Sequence, residues 1–274
     1  MTTPAEPIDG SGTARARCVL APNPSLMTLD GTNTWLIAEP GSATALAVDP
    51  GPLDEPHLQR VCAQAAAGGQ RIVTILLTHG HPDHCEGAAR LAELTGAPVR
   101  AADPALRLGD DGLAPGDVLT GGGCELRVLA TPGHTADSVS LLLPADRALF
   151  TGDTVLGRGT AVIGPDGSLA DYLGTLDRLR AVAGAEQLTV LLPGHGPLLS
   201  DPAGTLDYYL DHRRQRLNEI RAALAAGDRT PRDIVVRVYT DVDEKLWPFA
   251  EWSVRSQLTY LAKQGELPSD LQLS

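Results

Sequence analysis

Short apolar runs divided by Gly- and Pro-rich turns fill the first two thirds of the chain. RCVLA (17–21) and TNTWLI (32–37) read as strands around a Pro/Asn-rich turn, and TALAVD (44–49) as a third, closed by Pro50-Gly51-Pro52. Leu58, Val61, Cys62, Ala65 and Ala66 recur at i, i+3, i+4, i+7 and i+8, which predicts an amphipathic helix stopped by Gly68-Gly69. IVTILL (72–77) predicts a buried strand that runs into THGHPDH (78–84), followed by a helix to about Leu94. LRVLA (126–130) runs into Thr131-Pro132-Gly133-His134, ALF (148–150) into Thr151-Gly152-Asp153, and LTVLL (188–192) into Pro193-Gly194-His195. Four strands thus end in Gly-containing turns that carry His or Asp, and five of the seven histidines lie there. Strand ends share one rim of a layered α/β fold, where polar groups converge on rigid support.

From about residue 204 the pattern turns helical. Leu206, Tyr209, Leu210, Leu217 and Ile220 predict a long helix ending near Gly227. Thr230-Pro231-Arg232-Asp233 is a helix start with an N-cap, a Pro at the first position and an acid in the first turn, and a last helix covers roughly 244–263. The expected organisation is a disordered lead (1–16), a catalytic domain (17–203) and a small C-terminal helical, winged-helix-like module (204–274).

Composition narrows the class. The 274 residues suit one large domain, or one with a small appendage, and need no disulfide staples. No apolar run is long enough for a transmembrane helix, and MTTPAEPIDGSG lacks the features of an export signal. A cytoplasmic protein is therefore expected, with Cys18, Cys62 and Cys124 as small core residues and Cys85 as a buried thiol. A net charge of −12 argues against wholesale binding of polyanions.

His79-x-His81 places two imidazoles on one side of an extended turn, and Asp83 and His84 follow as the chain turns into helix. With His134, Asp153 and His195 there are seven ligand-type residues, enough for two metal ions sharing one carboxylate. Such a pair can generate a hydroxide nucleophile at neutral pH. Zn²⁺ is the expected ion, two per chain, with Mn²⁺ or Fe as alternatives. Asp83 and Asp153 are the expected catalytic carboxylates.

THGHPDH resembles the HxHxDH signature of the metallo-β-lactamase superfamily, and His134, Asp153 and His195 follow in that family's order and spacing. The resemblance implies a four-layer αβ/βα sandwich with metals at one edge. It implies His79, His81 and His134 on the first ion, Asp83, His84 and His195 on the second, and Asp153 as the bridge. NPSLMTLDGTNTWLI (23–37), GDTVLG (152–157), PGHGP (193–197) and the tail to Leu267 are similar to the β-lactamase-like protein 2 group. That group includes a single-strand endoribonuclease, and related fungal proteins are thioesterases on polyketide carriers. Asp153 stands where secreted zinc β-lactamases use Cys, which counts against an antibiotic-hydrolysing role. The 41 residues between Asp153 and His195 cannot hold the large extra domain of the RNA-processing branch. No basic cluster matches the one glyoxalase II uses for glutathione.

Several residues carry a plainer reading. His57 and His212 are expected in solvent, with His212 reaching the site only if its helix folds back. Asp49 is a turn acceptor or, as the resemblance implies, a support for the metal histidines. Asn33 and Thr34 are strand-edge residues or substrate contacts, and Gly87 suggests close packing under the metal loop. Arg213, Arg214, Arg216 and Arg221 read as a solvated helix face, because residues 207–267 hold ten basic and ten acidic side chains. Of ten aromatic residues, Tyr208, Tyr209, Tyr239, Trp247, Phe249, Trp252 and Tyr260 lie in the tail, which predicts either platforms for stacked bases or an aromatic lid over an acyl substrate. The expected function is hydrolysis of an acyl ester or thioester by a metal-bound hydroxide on a small-molecule substrate. The alternative is a single-strand endoribonuclease whose tail binds RNA. No membrane partner is expected, and the sequence sets no oligomeric state.

Overall fold

A computed structural model describes residues 8–109, 111–240 and 242–271. Ten strands form two five-stranded sheets. The first is β1 (Ala16–Leu20), β2 (Asn33–Ile37), β3 (Thr44–Val48), β4 (Arg71–Leu76) and β5 (Val99–Arg100), paired in that order. The second runs β10 (Val190–Pro193), β9 (Ala148–Gly152), β8 (Val139–Leu143), β7 (Cys124–Ala130) and β6 (Val118–Gly121). Strand β3 is parallel to β4, and β9 to β10, while β8 is antiparallel to both β7 and β9. Strands β7, β9 and β10 therefore point the same way and deliver their C-terminal turns to one rim.

Burial explains the layering. Trp35, Leu46, Val48 and Leu76 of the first sheet pack against Leu126, Val128, Leu141 and Phe150 of the second. Trp35 and Phe150 meet edge to face at 5.8 Å, a contact worth about 0.5–1.5 kcal/mol beyond its area. Helices α1 (Glu55–Ala67) and α3 (Ala88–Thr95) cover the outer side of the first sheet through Leu58, Val61 and Leu91. Asp54 caps α1 by accepting from His57 N at 2.8 Å. Helix α2 is the single turn Pro82–Cys85. Helices α4 (Leu169–Ala185) and α5 (Pro202–Ala225) cover the other face through Leu169, Tyr172, Leu206 and Tyr209. The architecture is an αβ/βα sandwich.

The C-terminal helices α6 (Pro231–Val238) and α7 (Trp247–Lys263) continue that last layer: Ile234, Val235, Val254 and Leu258 share one apolar cluster with Leu206 and Leu149. The expected division at residue 203 thus falls inside a continuous core, and α5 is a layer of the sandwich as well as the root of the tail. No strand follows β10 among the described residues.

The expected disordered lead is corrected from Ile8 onward. Ile8 is buried in the inter-sheet apolar cluster, Gly12 bridges to Arg17, and Arg15 binds Asp146 at 2.6 Å, so residues 8–16 are held by the sandwich. Residues 1–7 of that lead lie outside the described residues. Cys18 and Cys124 are buried, but Cys62 and Cys85 are only half-buried, and all four are free thiols.

Candidate metal centre

Four turns at one rim bring the seven predicted residues together. After β4 the chain presents His79 and His81 and enters α2 with Asp83 and His84; β7 leads to His134, β9 to Asp153 and β10 to His195. Three sets of donor atoms lie within 4.8 Å of one another: His79, His81 and His134; His79, His84 and Asp153; Asp83, His84 and His195. Cys85 belongs to none of them, and its Sγ points to the Gly80 carbonyl oxygen at 3.4 Å.

The outer nitrogen of each ring is held. His79 Nδ1 lies 3.0 Å from Thr78 Oγ1, which itself donates to Asp49 Oδ2 at 2.7 Å and so accepts from the imidazole. His81 Nε2 meets Asp166 Oδ2 at 2.9 Å, and His134 Nδ1 meets the Val162 carbonyl oxygen at 2.9 Å. His84 Nδ1 is 2.9 Å from Asp49 Oδ2, and His195 Nδ1 is 3.1 Å from the Gly31 carbonyl oxygen. These partners fix the tautomers, a task commonly given to carboxylates and carbonyls behind metal ligands.

The inner nitrogens of His79, His81 and His134 then present lone pairs to each other. His79 Nε2 and His134 Nε2 stand 3.1 and 3.0 Å from His81 Nδ1, with no proton left to bridge them. Such a cluster repels unless a cation lies among its members. Asp153 reaches both halves: Oδ2 is 3.3 Å from His195 Nε2 and 3.7 Å from His134 Nε2, and Oδ1 is 3.4 Å from His84 Nε2. Its buried Oδ1 has no hydrogen-bond partner. An unsatisfied carboxylate oxygen among imidazole nitrogens, with nitrogen and oxygen ligand atoms throughout, fits a divalent ion such as Zn²⁺.

Without a cation the charges distribute unevenly. Burial alone raises the Asp153 carboxyl, but His195 and His84 outweigh it and hold it well below the carboxylate range. Burial lowers His84, and Asp153 and Asp49 more than reverse this. The same contest leaves His195 raised to about 9, with Asp153 again the main opponent of burial. His79 and His134 are pushed down by burial and stay neutral.

The scaffold around the centre is tight. A Cβ on Gly194 would stand 2.5 Å from Asp153 Oδ1, and one on Gly87 would stand 2.9 Å from the Pro52 carbonyl oxygen, which accounts for glycine inside that helical stretch. Asp49 sits at φ 50°, a left-handed conformation that Asp tolerates better than most residues, and so turns its carboxylate to Thr78 and His84. Of its two readings, support for the histidines is the one the geometry matches. Asn33 and Thr34 are fully buried and cannot touch substrate. Asn33 Nδ2 donates to the carbonyl oxygens of Pro193 and Gly196 at 3.0 and 2.9 Å and clamps the turn that carries His195.

Three expectations of exposure fail. His57 is buried beside Thr34 Oγ1 at 3.0 Å, and burial pushes its pKa down to about 4. His212 is half-buried and lines the cleft beside the centre. Arg213 is buried, because α5 turns it toward Tyr172 of α4 and the Ala161 carbonyl oxygen rather than to solvent. Asp166 was not singled out by sequence; it lies 85 residues from His81 with no local motif.

A cleft of about 330 Å³ opens on His134 and Asp153. Met27 and Leu29 form one side, and Tyr239, Leu246, Phe249 and Ala250 of the tail form another. Of the seven aromatic residues expected in a lid, Tyr239 and Phe249 reach this cleft.

This chain belongs to the metallo-beta-lactamase superfamily, a family of hydrolases: the family model matches residues 27–195. A second model, the beta-lactamase associated winged helix domain, matches residues 230–267. The chain is 36% identical to a beta-lactamase-like protein 2 homolog of Drosophila melanogaster, over 91% of its own length and 88% of that protein. It is 30% identical to an atrochrysone carboxyl ACP thioesterase of Aspergillus fumigatus, over 79% of this chain and 67% of that one. Among solved structures, a beta-lactamase domain protein from Burkholderia ambifaria superposes with a TM-score of 0.78 at 25% identity, covering 96% of this chain and 90% of the other. No helix among the described residues is long and apolar enough to cross a membrane.

Proposed function

We propose that this chain is a dinuclear metal-dependent hydrolase of acyl esters or thioesters. His79, His81 and His134 would hold one ion, Asp83, His84 and His195 the other, and Asp153 would join them. When bound, such a pair supplies Lewis acidity and lowers the pKa of a water molecule toward about 7. The chain's own residues orient that chemistry. Asp49 and Thr78 fix His84 and His79, and Asp166 fixes His81.

The observation that carries the substrate class is the cleft. Its volume of about 330 Å³ lies at the small-molecule end of ligand pockets, and Leu246, Phe249 and Ala250 give it an apolar wall suited to an acyl chain. The thioesterase name of the Aspergillus relative points the same way. Single-strand endoribonuclease activity is the second reading. It is favoured by the winged-helix match and by a second cleft, of about 260 Å³, lined by Trp252, Arg255, Tyr260 and Lys263 beside the start of α4. Against it, Arg214, Arg216 and Arg221 each face an acid, Asp211, Glu219 and Glu266.

The deciding experiment is metal analysis of purified protein together with a panel of thioesters, lactones and single-stranded RNA. About two ions per chain and thioester turnover, abolished by a chelator and by His81→Ala, are expected. RNA cleavage without ester turnover reverses the order of the two readings.

A further inference from the structure

Helix α5 sends one arginine inward. Arg213 is 4% exposed and lines the same cleft as His134 and Asp153. One of its terminal nitrogens donates to the Ala161 carbonyl oxygen, and the guanidinium lies over the Tyr172 ring, 4.9 Å from its centroid. Its Nε is enclosed with no hydrogen-bond partner. No carboxylate pairs with Arg213 among the described residues, in contrast to Arg214, Arg216 and Arg221 on the same helix.

A buried charge without a counter-charge is costly, and folds retain one where it is compensated. Packing does not require the charge, because an apolar side chain of similar length could also cover Tyr172. The Ala161 carbonyl and the Tyr172 ring offset part of that cost, and the cleft this guanidinium borders is where an anion can supply the rest. Position supports this. Arg213 holds the Ala161 carbonyl, and the next carbonyl, that of Val162, holds His134. Tyr172, beneath the guanidinium, donates to the carbonyl oxygen of Thr154, the neighbour of Asp153. Arg213 is thus built into the segments that carry two of the candidate ligands. His212 and Arg216 border the cleft beside it, while Leu246, Phe249 and Ala250 form an apolar wall.

We propose that Arg213 is the receptor for a negative group on the substrate. The preferred substrate is then an ester or thioester with an apolar body and a carboxylate or phosphate on one arm. The inference rests on the acyl-hydrolase reading for the bond cleaved, but not for the anion bound.

The test reads binding and not turnover. Zinc-loaded chain is titrated by calorimetry with three non-hydrolysable thioethers of matched length, ending in a carboxylate, a phosphate or a neutral carboxamide. At least one anionic probe should bind about tenfold tighter than the carboxamide, the scale of a charge-assisted hydrogen bond, and the two anionic arms identify the group. Arg213→Gln and the volume-conserving Arg213→Met should each erase that preference. An anion captured by zinc alone would keep its advantage in both variants, and that result overturns the proposal. Equal binding of the three probes by the unmutated chain overturns it with no variant needed. Absence of ester turnover in the hydrolysis panel leaves this measurement intact, so the two failures are told apart.

Discussion

Gly194→Ala is the smallest change that reaches the centre. The added Cβ would stand 2.5 Å from Asp153 Oδ1 and 2.7 Å from His84 Cε1. Ordinary contacts lie near 3.5 Å, so something must move by roughly 1 Å. The loop is pinned: Gly194 N donates to the Gly152 carbonyl oxygen at 2.9 Å, and its own carbonyl accepts from Asn33 N at 2.7 Å. His84 is fully buried and held by Asp49, so Asp153, with one oxygen unbonded, is the group that yields. Overpacking of this kind costs about 1–3 kcal/mol, less than the ~5–15 kcal/mol of a typical domain, so the variant should fold. Its melting temperature should fall by roughly 2–12 °C. A catalytic group displaced by 1 Å costs on the order of 10²-fold in rate. The assay is metal content and kcat/KM on the best ester of the panel, beside a melting curve. A folded variant with full metal content and unmutated kcat/KM would refute the claim that this glycine makes room for the carboxylate.

Three further outcomes are expected. Asp166→Ala should weaken metal binding at the His79, His81 and His134 cluster by about 10–100-fold, read by competition with a chromogenic chelator; unchanged affinity would make its bond to His81 incidental. Asp153→Asn should fold and lose most hydrolysis, since a neutral amide cannot offset two cations, and turnover at the unmutated rate would exclude a bridging role. The third concerns pH. His195 is raised to about 9 in the metal-free chain, above its unfolded value, so its stabilising contribution is complete below about 6.5 and is lost as pH rises through 9. A metal ion must displace that proton, so affinity should rise about tenfold per pH unit per proton released between about 6.5 and 9. Calorimetry in buffers of different ionisation enthalpy counts the protons; none released at pH 7 contradicts the scheme.

The candidate centre was legible because each of its turns announces itself locally. An apolar strand, a glycine and a His or Asp recur at β4, β7, β9 and β10, and the structure gathers all seven residues. What supports the centre was less legible. Asp166 and Arg213 reach it from 85 residues and 52 residues away, from His81 and Ala161, with no motif of their own. Arg213 stands three residues after Leu210 and four before Leu217, on the apolar period of α5, and only its charge reads as outward; its burial follows from that face lying against α4. His57 reads as a surface residue because helix α1 is half polar, yet it lies in the first turn, tucked under Gly51. Strand β8 and helix α4 carry no predicted chemistry and were not assigned. Ser168, which accepts from Asp171 N, marked the start of α4.

The seam that seats His195 has a consequence for how the chain folds. Its Nδ1 faces the Gly31 carbonyl oxygen across 164 residues, and Asn33 reaches Pro193 across 160. Contacts this distant in sequence close last, because the entropy of closing the loop must be met before any reward is gained. Until this seam closes, His195 is not seated beside Asp83 and His84, and the seven residues are not all assembled. On the proposed two-ion reading, full affinity would arise only when the two halves of the sandwich have met, and an ion bound there would act as a late fastener that rewards complete molecules. Its removal should open the fold first along this seam.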